Sequence, residues 1–139
     1  LLGPREAEAV LRARPWRVLA AEDNRTNRLG LHHLLKPYPL ELTMVGNGAE
    51  AVAEGRGGGF DLMLMDVNMP VMGGLEAVAL IRAHEAETGR ARCPVIALTA
   101  NAKPTEVERG LKAGFHRHLT KPIRIHEITA ALESALEAA

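Results

Sequence analysis

Apolar positions in this chain cluster into five short runs, at residues 18–21, 40–45, 60–65, 94–98 and 115–119. Between and after them lie longer stretches with helical spacing, at residues 24–36, 47–54, 74–87, 104–113 and 124–137. Ile128, Leu132, Ala135 and Leu136, for example, fall on one helical face. The helix starts carry their own signals. Asn24 reads as a cap, Asn47 with Glu50 three residues on reads as a capping box, and Pro104 suits a first helical position. Strand and helix therefore alternate, which implies right-handed crossovers and a parallel sheet covered by helices on both faces. The first, third and fourth runs are almost wholly apolar, as strands buried on both faces must be. The second alternates Leu40, Leu42 and Met44 with Glu41 and Thr43, and the fifth contains His116, Arg117 and His118, so both read as edges. Two edges at strands 2 and 5 fit the order 2-1-3-4-5, a doubly wound, flavodoxin-like α/β fold with five helices on two faces.

Composition narrows the class. At 139 residues, with 47% hydrophobic and 24% charged, the chain is one ordinary domain able to bury a core. Lys plus Arg and Asp plus Glu both number 17, and that zero net charge argues against a nucleic-acid partner. No run approaches the roughly 18 apolar residues that span a bilayer, so the expectation is a domain without membrane contact of its own. A single cysteine, Cys93, excludes an internal disulfide and a Cys-based zinc site. A reducing, cytoplasmic setting is expected, with a parent that could itself be membrane-anchored. The chain begins with Leu1 rather than Met and reads as a piece of something longer. Residues 1–15 read as a separable linker or extra helix, opened by Pro4 with a stripe of Ala7, Val10 and Leu11, and residues 16–139 as the domain.

Polar residues gather where the strands end. Glu22 and Asp23 follow the first, Asp66 the third, Thr99 the fourth and Lys121 the fifth. In a parallel sheet these ends share one edge, and the 2-1-3-4-5 order puts a crevice beside the three acids. At about 5 Å and an effective dielectric near 20, each carboxylate pair would repel by roughly 3 kcal/mol. Such a cluster calls for a cation, and all-oxygen donors favour Mg²⁺, with Mn²⁺ the alternative. With the Lys121 ammonium and the Thr99 hydroxyl added, the set suits a phosphoryl group.

Other features have plainer readings. Gly55 and Gly57 to Gly59 form a flexible turn, since no Gly-Lys-Ser/Thr follows them. His32, His33, His84 and His126 share no ligand spacing and read as surface or helix-face residues. Asn27 reads as packing or a loop hydrogen bond. Met63, Met65, Met69 and Met72 read as packing, and Cys93 as a half-buried thiol.

These residues resemble the receiver domain of two-component signalling proteins from about Trp16 to Leu136. The resemblance rests on Ala21-Glu22-Asp23-Asn24, Leu64-Met65-Asp66-Val67-Asn68-Met69-Pro70, Ala97-Leu98-Thr99-Ala100-Asn101-Ala102 and Thr120-Lys121-Pro122-Ile123. Its details are most similar to receivers attached to hybrid sensor histidine kinases. The resemblance implies that Asp66 accepts a phosphoryl group from phosphohistidine. It implies that Glu22, Asp23, Asp66 and the Asn68 carbonyl hold Mg²⁺, and that Lys121 pairs with the phosphoryl oxygens. Thr99 matches the switch hydroxyl, Ala100 the small residue beside the phosphoryl group, and His118 the place of a switch aromatic. The implied partner is a histidine kinase or a histidine phosphotransfer domain. A homodimer through the fourth helix, fifth strand and fifth helix is also implied, as is slow self-catalysed dephosphorylation. One departure stands out: Gly73-Gly74 replaces the usual Asp or Asn then Gly, so the third helix lacks a side-chain cap. Two other readings compete. A degenerate receiver would act as a scaffold only, and the full set of site residues speaks against it. A Mg²⁺-dependent phosphatase would want an acid/base carboxylate just after its nucleophile, where Asn68 stands.

Overall fold

A computed structural model of the chain describes residues 9, 11–101 and 103–138, with backbone only for 134–138. The strands are β1 (Arg17–Ala21), β2 (Glu41–Val45), β3 (Leu62–Asp66), β4 (Val95–Thr99) and β5 (Arg117–Thr120). The helices are α1 (Arg25–Leu35), α2 (Gly48–Gly57), α3 (Gly74–Thr88), α4 (Pro104–Ala113) and α5 (Ile125–Ala138). All strand pairs are parallel, in the order β2-β1-β3-β4-β5. Each strand starts and ends within about two residues of the apolar run that forecast it, the ordinary uncertainty of element boundaries.

Strand alternation divides the core into two layers. Val18, Ala20, Leu62, Leu64, Ile96 and Leu98 face one side, where Leu31 and Leu35 of α1 and Ile128, Ala131 and Leu132 of α5 cover them. Leu19, Ala21, Met63, Met65, Val95 and Ala97 face the other, against Ala51 and Val52 of α2 and Ala77, Val78 and Ile81 of α3. β3 and β4 are buried along their whole length, whereas β2 and β5 are each largely half-exposed, as edges are. Among the described residues no helix is long and apolar enough to cross a membrane.

The caps hold α1 and α2 where expected. Asn24 Oδ1 accepts from the Asn27 N–H at 3.0 Å, and Asn47 Oδ1 from the Glu50 N–H at 2.9 Å. Glu50 closes the box differently from the usual pattern: its Oε1 accepts from the Gly46 N–H and the Asn47 side-chain amide, both at 3.2 Å. Pro104 is the first residue of α4, after Lys103 at the cap. α3 starts at Gly73 with no side-chain cap. Gly74 is required by contact: a Cβ there would lie 2.5 Å from the Asp66 carbonyl oxygen, so α3 starts pressed against the end of β3.

Two expectations change. The linker does not separate at residue 15, because Leu11 is 1% exposed and packs into the α1/α5 core layer. Arg12 stacks on Tyr38 at 5.1 Å and Arg14 on Trp16 at 3.9 Å, and Arg14 also pairs with Asp61. The forecast stripe residues Ala7 and Val10, and Pro4 before them, lie outside the described residues. Secondly, Gly55 and Gly57 are the last turn of α2, and only Gly58 and Gly59, at φ 74° and 83°, leave it. His84, read as a surface or helix-face residue, lies on α3 and is half-buried, with its Nε2 enclosed.

Candidate functional site

Parallel register brings the strand-end residues level. Ala21 pairs with Met65, so Glu22 and Asp66 stand side by side at the ends of β1 and β3. Thr99 pairs with Thr120, which sets Lys121 one residue beyond β4, its N–H donating to the Thr99 carbonyl at 2.8 Å. The Lys121–Pro122 peptide is cis. Alternation decides the rest. Asp66 shares its face with Leu62 and Leu64, and Lys121 with Leu119, all on the α1/α5 side. Lys121 Nζ donates to Glu22 Oε1 at 2.7 Å and to Asp66 Oδ2 at 3.1 Å, bridging three strands. The second Asp66 oxygen accepts the Asn68 N–H at 3.0 Å.

Burial raises the stakes of these contacts. Glu22 is fully buried and Asp66 nearly so, while Asp23 is exposed. Burial pushes the Glu22 carboxyl above its ordinary pKa, with Asp66 adding to the shift and Lys121 opposing it. Burial also pulls on the Lys121 ammonium, but its bonds to Glu22 and Asp66 more than offset that and hold its pKa above the usual value. Oxygens of Glu22, Asp23 and Asp66 come within 4.8 Å of one another. Glu22 Oε2 is buried with no hydrogen-bond partner, which leaves a lone pair for a cation. Three carboxylates facing one ammonium leave two negative charges, which a hard divalent ion with oxygen preference would balance. The residues present therefore suit Mg²⁺.

Thr99 and His118 lie on the other face of their strands and line a cavity of about 130 Å³ with Asn68 and with Glu106 and Arg109 of α4. Thr99 Oγ1 is engaged with Asn101, whose N–H donates to it at 3.2 Å and whose carbonyl accepts from it at 3.1 Å. The His118 imidazole stands edge-on to Phe115 at 5.6 Å and fills the notch left by Gly110, with Nδ1 buried and without a partner. Burial lowers its pKa, against a smaller upward pull from Glu106. Ala100 follows Thr99 and is exposed. One residue at this edge escaped the sequence reading. Val71 adopts φ 67° in the loop after β3, where the Met72 N–H donates to the Pro70 carbonyl at 2.7 Å in a γ-turn. A β-branched residue pays strain there, and Val71 is 84% exposed, so nothing in its apolar character announces the turn.

A doubly wound parallel sheet with carboxylates and a lysine at its switch-point edge defines a class that binds its ligand there. Comparison with known proteins narrows it. The family model of the response regulator receiver domain matches residues 18–133, and the chain belongs to that family. Sensor protein GacS of Pseudomonas syringae pv. syringae is 41% identical over 127 residues, covering 88% of this chain and 14% of that protein. Autoinducer 2 sensor kinase/phosphatase LuxQ of Vibrio vulnificus is 37% identical over 112 residues, covering 81% of this chain and 13% of that protein. The chain thus spans a small part of these sensor kinases. Among solved structures, the receiver domain of sensor histidine kinase PA1611 from Pseudomonas aeruginosa, with magnesium in its active-site cleft, superposes with a TM-score of 0.76. Its identity is 34%, over 87% of this chain and 97% of that one. A complex of the Saccharomyces cerevisiae phosphotransfer protein Ypd1 with the receiver domain of Ssk1 gives a TM-score of 0.81 at 30% identity, over 90% and 92% of the two chains.

Proposed function

We propose that this chain is a phosphorelay receiver that takes a phosphoryl group from a phosphohistidine onto Asp66. The Lys121 ammonium bridging Glu22 and Asp66 at a buried sheet edge is the observation that carries this reading. An Asp66 carboxylate oxygen attacks phosphorus, the P–N bond to the donor imidazole breaks, and its electron pair leaves with the ring nitrogen. Lys121 spends two of its three N–H donors on Glu22 and Asp66, and keeps one for the incoming phosphoryl oxygens. The Asn68 N–H fixes one Asp66 oxygen and so orients the attacking carboxylate. Mg²⁺, held by Glu22, Asp23, Asp66 and the Asn68 carbonyl, would supply neutralisation of the phosphoryl charge. Thr99, Ala100 and His118 then carry the change to α4, β5 and α5, where a partner or a second copy docks. The donor is a histidine kinase or a phosphotransfer domain, a reading supported by the named relatives and by the Ssk1 likeness.

The test is incubation with acetyl phosphate and Mg²⁺, followed by intact mass. One phosphoryl group should be gained, and neither Asp66→Asn nor a magnesium-free sample should gain it. An unchanged mass in the unaltered chain would favour a scaffold instead. Turnover of a phosphate monoester far beyond one equivalent would favour a phosphatase.

A further inference from the structure

The N-terminal edge of the sheet, at the far end of β3 from Asp66, opens into a cavity of about 390 Å³. That volume lies within the range of small-molecule sites, roughly 300–1,000 Å³. Val52 of α2, Ile81 of α3, and Phe60 and Met63 at the entry to β3 give it an apolar floor. Three exposed arginines, Arg56, Arg90 and Arg92, line it as well. The two carboxylates in its wall are already committed. Asp61 pairs with Arg14 and accepts the Arg17 N–H at 2.8 Å. Glu85 pairs with Arg82 at 2.7 Å and accepts the Cys93 N–H at 2.7 Å. The cationic side is differently placed. Arg90 is anchored by one nitrogen to the Arg56 carbonyl at 2.6 Å, and Arg92 by one nitrogen to the Gly114 carbonyl at 3.1 Å. A guanidinium has five N–H donors, so both retain several for a ligand. His84 also lines the cavity, but its Nε2 is enclosed and turned away from any ligand there.

We propose that this cavity binds a small organic anion, an aromatic carboxylate or its like, with the ring on the apolar floor and the charge among Arg56, Arg90 and Arg92. Apolar burial supplies the body of the affinity, and charge-assisted hydrogen bonds from the guanidiniums select the anion. Binding is non-covalent. Burial pushes the Cys93 thiol in the wall up to about 12, so it stays protonated and neither attacks nor repels the ligand. The site is independent of the phosphoacceptor reading.

The probe is 2-naphthoate, titrated into the ¹⁵N-labelled chain and followed by amide chemical shifts, with neutral 2-naphthalenemethanol in parallel. Saturable shifts should be confined to the amides around residues 52–63, 81–85 and 90–94. The neutral probe should bind at least about tenfold more weakly. The double variant Arg56→Gln with Arg92→Gln should weaken naphthoate by a similar factor, and Ala91→Trp, at an exposed lining position, should block both probes. Absence of saturable shifts at these amides would overturn the proposal. So would equal affinity for the two probes in the unaltered chain, since the hollow would then have no preference for charge.

Discussion

On the α1/α5 side of the sheet's C-terminal edge, Glu22, Asp66 and Lys121 are locked together by short ion pairs that tie the end of edge strand β5 to the ends of central strands β1 and β3. On the other side Thr99 and His118 share a cavity with α4, a helix whose only fully buried residue among those described is Gly110. Leu111 of α4 is 47% exposed, whereas α3 buries Gly74, Ala77, Val78 and Ile81. One region is preorganised, with its charges fixed before any ligand arrives. The other is underfilled, with room for a side chain to move and little burial to lose if a helix shifts. Chemistry needs the first property and a conformational readout needs the second. Placing them on opposite faces of the sheet lets one be rigid without stiffening the other.

Breaking the rigid side should have the larger effect. Lys121→Met leaves two buried carboxylates without their cation and should destabilise the magnesium-free protein by about 3 kcal/mol in urea unfolding. Saturating Mg²⁺ should restore part of that loss, because an ion bound only by the folded state stabilises it. Thr99→Ala, on the loose side, removes hydrogen bonds to an exposed loop residue and should cost no more than about 1 kcal/mol. Equal losses from the two variants would erase the contrast.

The loose side is best tested through the notch at Gly110. A Cβ there would lie 2.2 Å from His118 Cε1 and 2.4 Å from its Nε2, so Gly110→Ala should push the imidazole out toward solvent. Its titration midpoint, read from the ring C–H resonances by NMR, should rise toward the unperturbed value near 6.5. Global stability should change by no more than about 1 kcal/mol, because alanine also improves the helix. An unmoved midpoint would mean that something other than burial in this notch lowers the His118 pKa.

A smaller effect follows from pH. Burial lowers the pKa of His118, which faces Glu106 and Arg109 of α4 across the cavity. Burial also lowers that of His116, with further contributions from Arg117, Arg92 and Arg82. Below about pH 6.5 the unfolded chain then binds protons that the folded chain resists. Stability should therefore be fully present above that pH and fall as pH drops toward the folded pKa values. His118→Phe should flatten the decline in urea midpoints between pH 7 and pH 5 without abolishing it. A slope identical to the unaltered protein's would remove His118 from the account.

The sequence made the strands and the site edge legible because both depend on local pattern. Solid apolar runs marked β3 and β4, alternation marked β2, and the carboxylates and lysine fell just past strand ends whose alignment a parallel sheet enforces. What stayed hidden depended on tertiary contact. Gly55 looked like a turn, yet packing beside Met63 and Ile81 holds it in α2 against its low helix propensity. Leu11 looked like part of a linker, and only the fold reveals the core layer that receives it. The division of the site between two faces was implicit in the alternation of the strands. The Gly110 notch that seats His118 was not, because it joins residues on two different elements.

The central claim is that Asp66, and no neighbouring acid, carries the phosphoryl group. After phosphorylation by acetyl phosphate with Mg²⁺, borohydride reduces an acyl phosphate on aspartate to homoserine, and peptide mapping locates the converted residue. The account predicts homoserine at position 66 alone, with Glu22 and Asp23 intact. Conversion at Glu22 or Asp23, or none at position 66 in a protein that has gained phosphoryl mass, would contradict it.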